Sequence, residues 1–180
     1  ALFIADMTGH GPVAGVNAIR LQALVAACDG QPDAVLRRLD EILKQILPTG
    51  EYAAMLYGVV DVASRRFEYA AAGVPHPVAF PADGGDPVPG QGKGLPVGAS
   101  NFPYELRRLD IPRGGSLVLF TDGLFTLMDG DAPGAHAFER LIRRLTDHGG
   151  GAAQGLAALI ENRPKSCADD VTALCLTFAE

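Results

Sequence analysis

The chain has 180 residues, a net charge of −6 and a hydrophobic fraction of 48%. That length suffices to bury a full core within a single domain, residues 1–180, and the apolar content argues for a well-packed globule rather than a disordered chain. No apolar run reaches the ~20 residues of a membrane-spanning helix, and the acidic balance argues against nucleic acid as a partner. Three scattered cysteines (Cys28, Cys167, Cys175) lack metal-ligand or redox spacing and suit a reducing, cytoplasmic setting.

In chain order, Leu2 to Ala5 reads as a buried strand that ends on a carboxylate, Asp6. A Gly9-His10-Gly11 turn follows, then Pro12, a residue favoured at the first position of a helix because its missing N–H costs nothing there. Val13 to Cys28 predicts a helix with Val13, Val16, Ile19 or Arg20, Ala23, Leu24 and Ala27 on its apolar face. A second helix starts at Pro32-Asp33, with Val35, Leu39, Ile42, Leu43 and Ile46 inward and Arg37, Arg38, Asp40, Glu41 and Lys44 mostly on a solvated face. Pro48-Thr49-Gly50 stops it.

Strands follow. Ala53 to Asp61 and Arg66 to Ala72 form a hairpin around Val62-Ala63-Ser64-Arg65, and His76 to Phe80 predicts a third strand. Pro81 to Gly98 is a loop; its Gly90-Gln91-Gly92-Lys93-Gly94 run fails the phosphate-loop spacing, because Pro87 stands where glycine is required. Tyr104 to Ile111 and Ser116 to Thr121 read as strands, Ala135 to His148 and Ala152 to Asn162 as helices, and Val171 to Phe178 as the closing strand. Successive strand runs, rather than strict alternation with helices, predict mostly antiparallel sheets with helices outside.

Carboxylates recur at strand ends. Asp6 and Asp122 follow their strands and Asp169-Asp170 precede theirs, so antiparallel pairing predicts that all meet at one sheet edge. Singly, each has a plainer reading: a turn at Asp122-Gly123, a solvated turn at Asp169-Asp170, a helix cap at His10. Together, clustered carboxylates repel unless a cation neutralises them. An all-oxygen donor set selects hard cations, Mg²⁺ or Mn²⁺.

Asp6-Met7-Thr8-Gly9-His10-Gly11 resembles the Asp-x-Ser/Thr-Gly-His-Gly motif of bacterial metal-dependent serine/threonine phosphatases, the protein phosphatase 2C (PPM) superfamily in its SpoIIE/RsbU-like branch. Phe120-Thr121-Asp122-Gly123-Leu124 and Asp169-Asp170-Val171-Thr172 are similar to two further motifs of that branch. Weaker matches at Tyr69 to Gly73 and Gly94 to Gly98 fall between them in the expected order.

The resemblance implies an α+β fold, a four-layer α-β-β-α sandwich of two mainly antiparallel sheets flanked by helices. It implies two Mn²⁺ or Mg²⁺ ions held by Asp6, the Met7 carbonyl, Asp122, Asp169 and, at its margin, Asp170. Asp6 and His10 would be the catalytic residues, and hydrolysis of a phosphoserine or phosphothreonine protein the reaction. The substrate class implied is a phosphorylated anti-sigma-factor antagonist, with a receiver or other sensor domain upstream in the parent chain. Departures stand at Ala71-Ala72-Gly73-Val74, where the branch has Asn-Ala-Gly-His, and at Phe125-Thr126, where it has Thr-Glu. The branch's first acidic motif would precede residue 1. Its absence predicts weak activity of these residues alone, an open sheet edge beside Leu2 and Ile4, and self-association, for instance as a homodimer. Two other readings remain: a non-catalytic adaptor that keeps the fold to bind a signalling partner, and another kind of two-metal phosphohydrolase.

Overall fold

The computed structural model describes residues 1–9, 11–92, 94–99, 101–129, 136–163 and 169–179. The chain divides into two compact units, residues 1–62, 66–74 and 91–108, and residues 63–65, 75–90 and 109–180. Pro12–Ala26 (α1) and Pro32–Ile46 (α2) belong to the first unit. They accompany a sheet whose strand order is β1 (Leu2–Met7), β2 (Ala53–Asp61), β3 (Arg66–Ala72) and β6 (Arg107–Asp110). The second sheet runs β5 (Val88–Pro89), β4 (Val78–Phe80), β7 (Ser116–Phe120) and β8 (Ala173–Thr177). With it go α3 (Gly123–Asp129), α4 (Ala137–Thr146) and α5 (Gly151–Glu161). The pairs β1–β2, β2–β3, β4–β5, β4–β7 and β7–β8 are all antiparallel.

In the first unit, period-two alternation sends Phe3, Ala5 and Met7 of β1 and Ala53, Met55 and Tyr57 of β2 into one core. Val35, Leu36, Leu39 and Leu43 of α2 fill that core from the helix side. The phase of α2 differs from expectation at three places. Leu36 is buried, Ile46 is exposed, and Asp40 lies inside rather than on the solvated face. Asp40 accepts the Gly98 N–H at 2.9 Å and pairs with Lys44, whose ammonium also reaches Asn101 at 2.6 Å. Two partners offset the cost of burying its charge. Burial, reinforced by the Asp40 charge, pushes the Tyr104 hydroxyl well above the usual tyrosine range; that hydroxyl donates to the Leu95 carbonyl.

Helix α1 corrects the expected face outright. Asn17, Leu21 and Val25 are buried, whereas Val13, Val16 and Ile19 are 59%, 49% and 68% exposed. The helix is apolar nearly all round, so periodicity alone does not choose a side. The choice is made by packing and by a 2.6 Å hydrogen bond from the Asn17 amide to the Glu51 carboxylate.

The glycine-rich loop is held as a wall of the first sheet. The Tyr69 hydroxyl donates to the Gln91 carbonyl at 2.6 Å and accepts the Gln91 N–H at 2.8 Å. A Cβ at Gly94 would collide with the Ala71 carbonyl, so glycine serves close packing there. Val97 and Ala53 then exchange two backbone hydrogen bonds of 2.9 Å. Lys93 of this run and Cys167 lie outside the described residues.

In the second unit every residue of β7 is buried. Val118 and Phe120 join Val78, Phe80, Leu141, Leu145, Leu156 and Leu159 in one core. Strand boundaries tighten relative to the sequence: β4 starts at Val78 rather than His76, and β6 at Arg107 rather than Tyr104. The two-residue β5 interrupts the long loop, and α3 follows Asp122, where the sequence predicted no helix.

His76 sits half-buried in this unit, edge-on to Phe138 with ring centroids 6.2 Å apart, and its buried Nδ1 has no hydrogen-bond partner among the described residues. Burial lowers its pKa from the ordinary 6.5. The unfolded chain therefore binds more protons between the native and unfolded values, so stability rises with pH across that window. It falls as pH drops through about 6.5 and levels off below the native value. His76→Leu should flatten the melting temperature between about pH 7 and pH 5; an unchanged slope would assign the acid sensitivity to other groups.

Candidate metal centre

The site residues come from strand ends. In the first unit, Asp6 lies within β1, one residue before its end, opposite Ala54 of β2, and is half-buried. Met7 follows opposite Ala53, its side chain against the first core. In the second unit, Asp122 leaves β7 and opens onto α3, while Asp169 and Asp170 precede β8. Because β7 and β8 pair antiparallel, the end of one lies beside the approach to the other. A carboxylate oxygen of Asp122 lies within 4.8 Å of one of Asp169, and both side chains are exposed. The expectation of a single sheet edge holds for this pair. Asp6 stands near the end of a strand of the other sheet, since the intervening strands divide between two sheets. His10 lies outside the described residues.

Two like charges near 4.8 Å repel by about 1 kcal/mol in bulk water and by about 3–4 kcal/mol at an effective dielectric near 20. Something must hold them there. Asp169 is oriented locally, its Oδ1 accepting the Asp170 N–H at 2.9 Å. Asp170 is itself exposed, with its carbonyl against Gly123; a Cβ on that glycine would collide with the carbonyl oxygen. Gly123 thus permits the close approach of the two segments.

Two threonines were not singled out in the sequence. Thr121 donates its N–H to the Thr172 carbonyl at 3.0 Å, and its Oγ1 accepts the Thr172 N–H at 3.1 Å. Its own carbonyl accepts the Leu124 N–H at 3.1 Å, opening α3. In the first unit Thr8 repeats this arrangement: its N–H donates to the Tyr52 carbonyl at 3.0 Å and its Oγ1 accepts the Tyr52 N–H at 2.8 Å. Each hydroxyl bonds a residue 44 or 51 positions away, so no local sequence signal marks it. The departures at Phe125 and Thr126 are absorbed by packing. Phe125 meets Phe120 edge-on at 5.7 Å, and the Thr126 hydroxyl donates to the Gly123 carbonyl.

The donor chemistry fits a divalent cation. Exposed carboxylate oxygens held close together are hard ligands, of the kind that takes Mg²⁺ or Mn²⁺ while leaving room for water. No helix among the described residues is long and apolar enough to cross a membrane.

Residues 1–179 match the family model described as stage II sporulation protein E (SpoIIE). The RsbU and RsbW domains of Rv1364c from Mycobacterium tuberculosis superpose with a TM-score of 0.80 at 22% identity, covering 98% of this chain and 52% of that one. The PP2C phosphatase domain of SpoIIE from Bacillus subtilis, solved with a fragment of its regulatory domain, gives 0.78 at 17% identity, covering 98% and 52%. RsbX, solved in complex with magnesium, gives 0.67 at 18% identity, covering 96% and 78%. The chain thus spans about half the length of the first two. These superpositions, with the two antiparallel sheets and their helices, bear out the expected PP2C-like α+β fold.

Without metal, Asp122→Asn should raise the melting temperature at low salt by relieving repulsion of Asp169, and the gain should shrink as salt screens the pair. Thermal melts in a chelator at two ionic strengths check this. A fall in melting temperature at low salt would mean that the Asp122 charge is already neutralised by the protein.

Proposed function

The chain belongs to the SpoIIE family, and on that premise we propose that it is a metal-dependent phosphoserine/phosphothreonine protein phosphatase. One observation carries the reading. A single family match spanning residues 1–179 includes all three acidic strand ends, and Asp122 and Asp169 hold carboxylate oxygens within 4.8 Å. Mutually repelling acids serve a cation site, whereas an adaptor has no physical need of them. The same match runs across both compact units, which supports treating residues 1–180 as one functional domain.

In this reading Asp6, Asp122 and Asp169 would hold two divalent ions, with the Met7 carbonyl and Asp170 as further oxygen donors. The magnesium bound by RsbX supports a divalent cation here. When bound, such ions polarise a phosphoryl oxygen and lower the pKa of water to yield a nucleophile near neutral pH. The carboxylates would orient that chemistry at the strand ends, and these acids would admit a phosphate of charge about −1.5 to −2 only once their own charge is offset. His10, two residues after Thr8 in the sequence, would give a proton to the leaving serine or threonine oxygen.

The substrate in this proposal is a phosphorylated anti-sigma-factor antagonist in the bacterial cytoplasm, and an upstream receiver or sensor domain regulates turnover. The joining of RsbU and RsbW domains in the mycobacterial protein supports that setting, as does the regulatory segment solved with the Bacillus domain.

Phosphate release from a phosphoserine protein should require Mn²⁺ or Mg²⁺ and should exceed release from nucleotides and small phosphate esters. Asp6→Asn should abolish both turnover and the metal-induced rise in stability, which amounts to about 2.7 kcal/mol at a hundredfold excess over Kd. Tight binding of the phosphoprotein without turnover would instead favour the adaptor. Preference for nucleotides would favour another phosphohydrolase.

His10→Ala should slow release from phosphoserine by about 10²–10⁴-fold while sparing p-nitrophenyl phosphate, whose phenolate leaves without a proton. Equal losses on both would make His10 a structural cap.

A further inference from the structure

An antiparallel ladder ends wherever the main chain turns away, and its last rung is the weakest. At both strand ends that carry the candidate ligands, the last rung is built differently from the rest. Past Phe120↔Ala173, the next pair is Thr121 with Thr172. There the Thr172 N–H goes to the Thr121 hydroxyl, while the Thr121 carbonyl accepts the Leu124 N–H and starts α3. One residue therefore closes the strand and opens the helix. Past Met7↔Ala53, Thr8 and Tyr52 form the corresponding rung through the Thr8 hydroxyl.

We propose that Thr121 is a positioning residue for the Asp122–Asp169 pair, with Thr8 in the same role for Asp6; this rests on the two-metal reading above. Asp122 is the next residue after Thr121, and Asp169 stands three residues before Thr172. The Thr121–Thr172 rung is thus the tie nearest to both carboxylates; the hydroxyl supplies one of its two bonds, beside the Thr121 N–H to the Thr172 carbonyl, and acts against their repulsion. Thr121 is 2% exposed, so its hydroxyl is shielded from water that would otherwise compete for the Thr172 amide. Valine has the same shape and lacks the oxygen. Thr121→Val leaves the Thr172 N–H unpaired and the rung held by the Thr121 N–H alone, which loosens the Asp169 segment against Asp122, so the cations lose a preformed site.

The test compares wild type, Thr121→Val, Thr121→Ser and Thr8→Val in the full chain. Mn²⁺ affinity is read by titration calorimetry, metal-free stability by thermal melts, and exchange of the Thr172 amide by NMR. The proposal expects faster Thr172 exchange in Thr121→Val, with Leu174 and Leu176 still protected. It also expects a loss in Mn²⁺ affinity of about tenfold, the low end for residues that support metal ligands, and recovery in Thr121→Ser. A lower metal-free melting temperature with unchanged Mn²⁺ affinity would overturn it and leave Thr121 a fold-stabilising residue. If Thr121→Val does not fold, Thr8→Val carries the same comparison, and wild-type affinity there overturns the proposal. If wild type binds no Mn²⁺, or Asp122→Asn binds it equally well, the two-metal reading itself fails and takes the positioning role with it.

Discussion

Like-charge repulsion is the constraint on which the site depends. Asp122 and Asp169 stand on segments that would separate if their ends were free. What keeps them together is the β7–β8 ladder, five residues long on each side and anchored by a strand buried along its whole length. The ladder is extended by the Thr121 hydroxyl, and the segments draw close because Gly123 has no side chain. Hydrophobic burial in β7 thus supplies the stability that an acidic site would otherwise lose. The core around Phe120 and Leu141 is as much a part of the site as its carboxylates.

The first unit solves a related problem with polar ties. Among the described residues from Gln91 to Tyr104 there is little regular structure, yet three of them are tied to the sheet or to α2. Gln91 is held by Tyr69, Val97 by Ala53, and Gly98 by Asp40. The Asp40 tie is the most demanding, because a buried carboxylate is tolerated only while its partners remain. This segment passes alongside the start of β2 at Ala53, one residue after the Tyr52 backbone that Thr8 grips. Packing of the glycine-rich run and anchoring of the Asp6 loop therefore converge on the same few residues of β2.

How much could be read beforehand depended on whether the signal was local. Helix α2 was legible because its charges and apolar residues alternate at helical spacing, although the burial of Asp40 required a distant glycine amide. Helix α1 was misread in phase because apolar residues line nearly every face. Only Asn17, bonded to Glu51, marks the inward one. Helix α3 was missed since Asp122-Gly123 has the composition of a turn, and the hydroxyl that frees the Thr121 carbonyl to start a helix is bonded to a residue far along the chain. The acidic strand ends were legible because a carboxylate closing an apolar run is conspicuous. Their division between two sheets was not, since it depends on strand order.

If the acids at these strand ends gather hard cations, manganese should be found beside them. Crystals soaked in Mn²⁺ and measured by anomalous scattering test it most directly. Two peaks are expected, each about 2 Å from carboxylate oxygens drawn from Asp6, Asp122 and Asp169. Well-ordered crystals with no peak at these carboxylates, or with manganese bound only elsewhere on the acidic surface, would contradict it.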